Sequence, residues 1–195
     1  MTGHIVGMVG KARYDFGNAQ YSYGEVESAL AIVFGAKRPA EKARLRAHIK
    51  HLQRLNLVGG AGKGARVAYS LGQASQWLLA LLAAEIGVNQ SVIVQTIKKA
   101  WPQLLQRWFE RALDDDATKT GNPVWLTLRP ETMSGWAEQG SVKWIGFLRW
   151  KDERSKQLPY TLLTKAVEDE DEWLCARNLT RVMLKFTTAL ESEGN

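Results

Sequence analysis

With 195 residues, 45% of them hydrophobic, the chain is long enough to bury a core, and its net charge of +6 gives it a pI near 9.5. The single cysteine, Cys175, excludes an intramolecular disulfide and a thiolate zinc cluster, and no stretch reaches the roughly 20 apolar residues of a membrane span. The basicity is local: residues 1–66 hold 11 Lys and Arg against 4 Asp and Glu, whereas residues 67–195 hold 15 against 16.

Residues 1–20, with Gly3, Gly7, Gly10, Gly17, Lys11 and Arg13, read as a flexible basic leader and lack the pattern of a secretion signal. Ser22 and Glu25 have capping-box spacing, so a helix starts there. Val26, Leu30 and Val33 give it one apolar stripe, and Gly35 ends it. The turn Gly35–Arg38 leads directly into a second helix, the order that a helix-turn-helix requires.

The second helix is expected over about 39–56. Pro39 suits its first position and Glu41 the positive end of its dipole. Leu45, Ile49, Leu52 and Asn56 fall on one stripe, which reads as the buried face, with Leu55 at its edge. Arg44, Arg46, Lys50, His51 and Arg54 point away from it, with the small residues Ala43 and Ala47 between them. Such a face approaches a duplex closely while long arms reach phosphates and base edges. Residues 57–69, with glycines at 59, 60, 62 and 64 and the cations Lys63 and Arg66, read as a two-stranded hairpin with a flexible tip. The whole is the pattern of a winged helix-turn-helix.

Ser70, with Gln73, caps a strongly apolar helix running to Ile86, and Gly87 closes it. Asn89 or Ser91 caps the next helix, which Pro102 interrupts or restarts. Leu104, Leu105, Trp108, Phe109 and Leu113 continue an aromatic stripe to 113. The run Asp114–Asp116 opens a polar linker over 114–122; adjacent aspartates diverge, so no metal is expected there.

Beyond the linker the period changes to two. Pro123–Leu128 and Ser141–Trp150 read as strands, with a short helix between them at Glu131–Ala137. The acidic run Glu168–Glu172 leads into a helix expected over about Asp171–Leu190. Its stripe of Trp173, Ala176, Leu179, Met183, Phe186 and Leu190, beside which Cys175 lies, fits packing on its own sheet or a dimer contact equally. The expected fold is α+β and mostly α: a winged helix-turn-helix domain over 21–113, then a smaller α+β domain over 123–195 for dimerisation or interaction.

These motifs loosely resemble the DNA-binding domain of MerR-type transcription regulators over roughly residues 22–101. The resemblance rests on Leu55–Val58 leaving the recognition helix, Gly64–Ser70 in the wing, and Glu85–Val88 closing the following helix. Departures are the missing aromatic pair in the recognition helix, an Arg66-to-Tyr69 gap one residue longer, and no evident long dimerisation helix. The resemblance implies the fold and the DNA docking mode of that domain.

The expected function is a sequence-specific regulator that binds double-stranded DNA in the cytoplasm, at the nucleoid, as a homodimer, with contact to the transcription machinery among its roles. Arg46, Lys50 and Arg54 are expected at the groove and Lys37, Arg38, Lys42, Arg44, Lys63 and Arg66 on phosphates. A plasmid or phage replication or partition factor is the alternative, as is a protein-interaction module acting through the aromatic-rich C-terminal half; five of the eight tryptophans come after residue 120. His4, His48 and His51 form no acid–base or metal constellation, and the glycines at 59–64 lack phosphate-loop spacing. No enzyme activity and no cofactor are expected.

Overall fold

The computed structural model describes residues 14–58, 68–114, 119, 123–128, 145–149 and 175–193. They form a mostly helical α+β fold with two small antiparallel sheets. The order is β1 (Ala19–Ser22), α1 (Tyr23–Phe34), α2 (Pro39–Arg54), β2 (Ala68–Ser70), α3 (Leu71–Glu85) and α4 (Gln90–Ala100). A π-helical turn (Trp101–Leu105) follows, then α5 (Gln106–Ala112), β3 (Val124–Leu128), β4 (Ile145–Arg149), β5 (Cys175–Asn178) and α6 (Leu179–Glu193).

Local signals place the helix ends. Ser22 Oγ accepts from the Glu25 N–H and the Glu25 carboxylate accepts from the Ser22 N–H at 2.6 Å; Ser70 and Gln73 repeat the exchange at α3. Gly35 and Gly87 take the left-handed conformation, φ +68° and +88°, that ends α1 and α3. Asn89 caps α4, accepting from the Ser91 N–H at 2.9 Å.

Helix α3 is the axis of the core. Almost every residue from Leu71 to Ala83 is buried on it, and Trp77 is fully enclosed. Tyr23 of α1 meets the Trp77 ring edge-on at 5.9 Å, and Tyr69 of β2 tilts against it at 4.7 Å, so one indole ties three elements together.

Several expectations are corrected. Residues 14–20 of the expected leader belong to the folded part, with Phe16 buried and its carbonyl accepting from the Gly72 N–H at 3.1 Å. Residues 1–13 lie outside the described residues. β2 pairs antiparallel with β1, with Tyr21 opposite Tyr69, a partner the sequence does not show. Residues 59–67, the expected hairpin tip, also lie outside. Asn56 leaves the buried stripe, because α2 stops at Arg54 and Asn56 turns out to solvent at φ +58°; Leu57 and Val58 are buried in its place.

Pro102 does not break the chain. The helical path runs through it as the π-helical turn, where the Gln106 N–H reaches back to the Trp101 carbonyl, and the wider loop leaves room for a ring without an N–H.

In the second sheet β3 lies between β4 and β5, antiparallel to both. Of the expected strand Ser141–Trp150, Ile145–Arg149 is described as strand; residues 131–137 lie outside the described residues, as do the acidic run and Trp173. The C-terminal helix starts later than expected. Cys175–Asn178 pairs with β3 as a strand, and the Asn178 side chain caps α6 by accepting from the Arg181 N–H at 2.9 Å. Cys175 and Ala176 therefore belong to a strand, not to the helix stripe.

The face of α6 carrying Leu179, Met183, Phe186 and Leu190 is buried within the chain, where α6 packs on α1 as well as on β3 and α5. Thr180 Oγ1 accepts from the Val124 N–H at 2.9 Å, joining α6 to the sheet. One buried cluster contains residues on both sides of 114–122, from Phe16 to Leu190, so the C-terminal part shares its core with the N-terminal part. No helix among the described residues is long and apolar enough to cross a membrane.

Candidate nucleic-acid interface

Helix α2 lies on the surface with Leu45, Ile49 and Leu52 as its only buried residues. That narrow stripe anchors it and leaves most of its circumference to solvent. At 100° per residue the direction opposite the stripe is held by Ala43, Ala47, Lys50 and Arg54, with His51 and Arg44 beside them, and all six are exposed. Small side chains thus lie at the centre of the outward face, with cations around them.

The flanks differ from the centre. Arg46 faces α1 and donates to both carboxylate oxygens of Glu27, from Nε at 2.9 and 3.1 Å and from Nη2 at 2.6 Å. This hydrogen-bonded pair holds the Glu27 carboxyl below its ordinary range. The phenol of Tyr23 is pushed up to about 12 by burial, with the Glu27 charge beside it. Arg38 is likewise engaged: the Glu41 carboxylate accepts from the backbone N–H groups of Lys37 and Arg38, at 3.0 and 2.9 Å, and from Arg38 Nε at 2.7 Å. Those bonds depress the Glu41 pKa and fix the start of α2.

On the opposite flank Arg44 and His48 border a cleft completed by Phe34, Leu81 and Glu85, and His48 Nδ1 lies 2.9 Å from Gln90 Nε2 at the start of α4. Lys37 and Lys42 border a second groove, between α1 and α2.

Of the nine expected DNA-contacting residues, Lys50, Arg54 and Arg44 stand on or beside the outward face. Lys37 and Lys42 stand at its α1 side. Arg46 and Arg38 are bound to carboxylates of their own chain, and Lys63 and Arg66 lie outside the described residues. A further cation, whose place here has no signal in the sequence, joins Lys37 and Lys42: Lys185 of α6, which enters the α1–α2 groove and donates to the Val33 carbonyl at 3.2 Å. Helical periodicity within α6 shows Lys185 as exposed but carries no sign of which helix it lies beside. Among the described residues no three metal-ligating side chains stand together.

No protein-family model matches the chain, and no curated protein matches it.

Proposed function

We propose that this protein is a sequence-specific regulator that binds double-stranded DNA through a winged helix-turn-helix, with α2 in the major groove and residues 57–69 as the wing along the backbone. The observation that carries this reading is the outward face of α2: Ala43 and Ala47 at its centre, Lys50, Arg54 and Arg44 around them, on a helix whose opposite side is fixed by Leu45, Ile49 and Leu52. Small residues allow the helix axis to enter a groove, and the arginines and lysine reach base edges and phosphates from it. The link of only Gly35–Arg38 between α1 and α2 also suits it, since the first helix of such a pair crosses the phosphate backbone.

The reading includes a homodimer and contact with the transcription machinery. The apolar face of α6 is used within the chain, so a dimer contact would come from another surface.

The test is selection from a pool of duplexes with a randomised core, followed by a salt series on the recovered sequence. The expected result is one enriched motif, bound with an affinity that falls steeply in salt. Two half-sites about 10 base pairs apart, centre to centre, would report the homodimer. A pool with no enriched sequence overturns the reading.

A further inference from the structure

The groove between α1 and α2 collects charge from three elements. Lys37 stands in the turn, Lys42 and Arg46 on α2, and Lys185 enters from α6. Among the described residues one carboxylate, Glu27, faces these four cations, and it is already held by Arg46. The surplus is positive, and an anion brought there meets several cations together.

We propose that this groove is a phosphate seat on the DNA path and that Lys185, from the far end of the chain, belongs to the nucleic-acid interface. The inference rests on the reading of α2 as the recognition helix. If α2 lies in the major groove, α1 crosses the backbone, and the crevice between the two helices faces phosphate. Lys185 has three N–H donors and gives one to the Val33 carbonyl, which leaves two for phosphate oxygens. That anchor also restricts a long, flexible side chain before DNA arrives, so less freedom is lost on binding. Ile32, 43% exposed beside the cations, offers an apolar contact of the kind a deoxyribose accepts.

A structural role would explain part of the same geometry, because a cation at the C-terminal end of α1 satisfies a carbonyl and the helix dipole. The experiment separates the two. Lys185→Gln, Lys42→Gln and Lys50→Gln are compared with the wild type by melting and by the salt dependence of binding to the selected duplex, or to mixed-sequence duplex if none is selected.

The expected result is a slope of log affinity against log salt smaller by about 0.9 for Lys185→Gln and for Lys42→Gln, with Lys185→Arg restoring the slope. A lowered Tm with an unchanged slope makes Lys185 a helix cap and overturns the proposal. Should Lys185→Gln fail to fold, acetylation of the wild type with and without duplex decides: protection of Lys185 by DNA supports the seat, and equal reactivity overturns it. A wild type that binds neither duplex defeats the underlying reading, whereas a slope that responds to Lys50→Gln alone defeats only the groove.

Discussion

Arg46 of α2 grips Glu27 of α1 through three hydrogen bonds of 2.6 to 3.1 Å, so one arginine of the basic helix fixes the angle between the two helices. The helices are joined by four residues, and this bidentate clamp is a second connection between them.

The clamp predicts a non-additive pair. Arg46→Gln and Glu27→Gln each lower the Tm, and the double variant loses less than the sum of the two, because either change alone abolishes the same bonds. If α2 binds the duplex as proposed, Arg46→Gln weakens that binding less than Arg54→Gln does. Melting of the four proteins in the cycle checks the first statement, and additive losses would refute it.

Acid stability follows from the same carboxylates. Glu25 is held below its ordinary 4.5 by the Ser22 hydroxyl and N–H, Glu27 by Arg46, and Glu41 by the Arg38 N–H and guanidinium. A folded pKa below the unfolded one stabilises the protein above about pH 4.5, and the contribution is lost as pH falls through the folded values. Unfolding free energy measured in urea should therefore drop below that pH, more gently in Glu27→Gln. Tyr23 acts at the other end: its phenol, raised from 10.0 to about 12, stabilises below pH 10 and ceases to do so as pH climbs toward 12.

Gly72 is predicted to be intolerant of a side chain. A Cβ there would stand 2.8 Å from the Phe16 carbonyl oxygen, which is the acceptor for the Gly72 N–H. Gly72→Ala should cost about 1–3 kcal/mol and loosen the chain around Phe16. Chemical denaturation reads the first effect and faster proteolytic cleavage near residues 14–18 the second; unchanged cleavage would show that the contact is dispensable.

Gly35 is a different case. Nothing lies within 4 Å of a Cβ built there, but its φ of +68° is unfavourable for an L residue. Gly35→Ala should destabilise by about 1–2 kcal/mol and Gly35→Asn by less, because asparagine tolerates this conformation. Equal melting of the two variants would count against the argument.

Ala47 tests the proposed interface without touching the core. It is exposed at the centre of the outward face, so Ala47→Glu should leave the Tm unchanged. On the proposed reading a carboxylate there would oppose the phosphates, and duplex affinity should fall by more than about tenfold. Undiminished binding would remove α2 from the groove.

The features legible in the sequence were those set by neighbours in the chain. Ser22 with Glu25, Ser70 with Gln73, Pro39, Gly35 and Gly87 act over one helical turn, and each marked its helix end correctly. What escaped depends on distant partners. Asn56 fits the stripe by spacing, yet α2 has ended before it. Cys175–Asn178 is preceded by acids that suit a helix start, but β3 claims it as a strand. Pro102 reads as a break until a π-helical turn accommodates it. At the candidate site, exposure of Lys50 and Arg54 followed from helical period, whereas the capture of Arg46 by Glu27, 19 residues away, and the arrival of Lys185 did not.

The packing of α6 on α1 bears on how the molecule is made. Lys185 and Val33 are 152 positions apart, so α1 leaves the ribosome long before the helix that covers it has been translated. Through that interval its apolar side must remain open or find temporary shelter, for instance with a chaperone. Closing so long a loop adds little to the thermodynamic cost of folding but slows the search for the native contact. A ribosome stalled before residue 179 would therefore display α1 without its α6 cover, and the surface that Lys185 completes would form only late in synthesis.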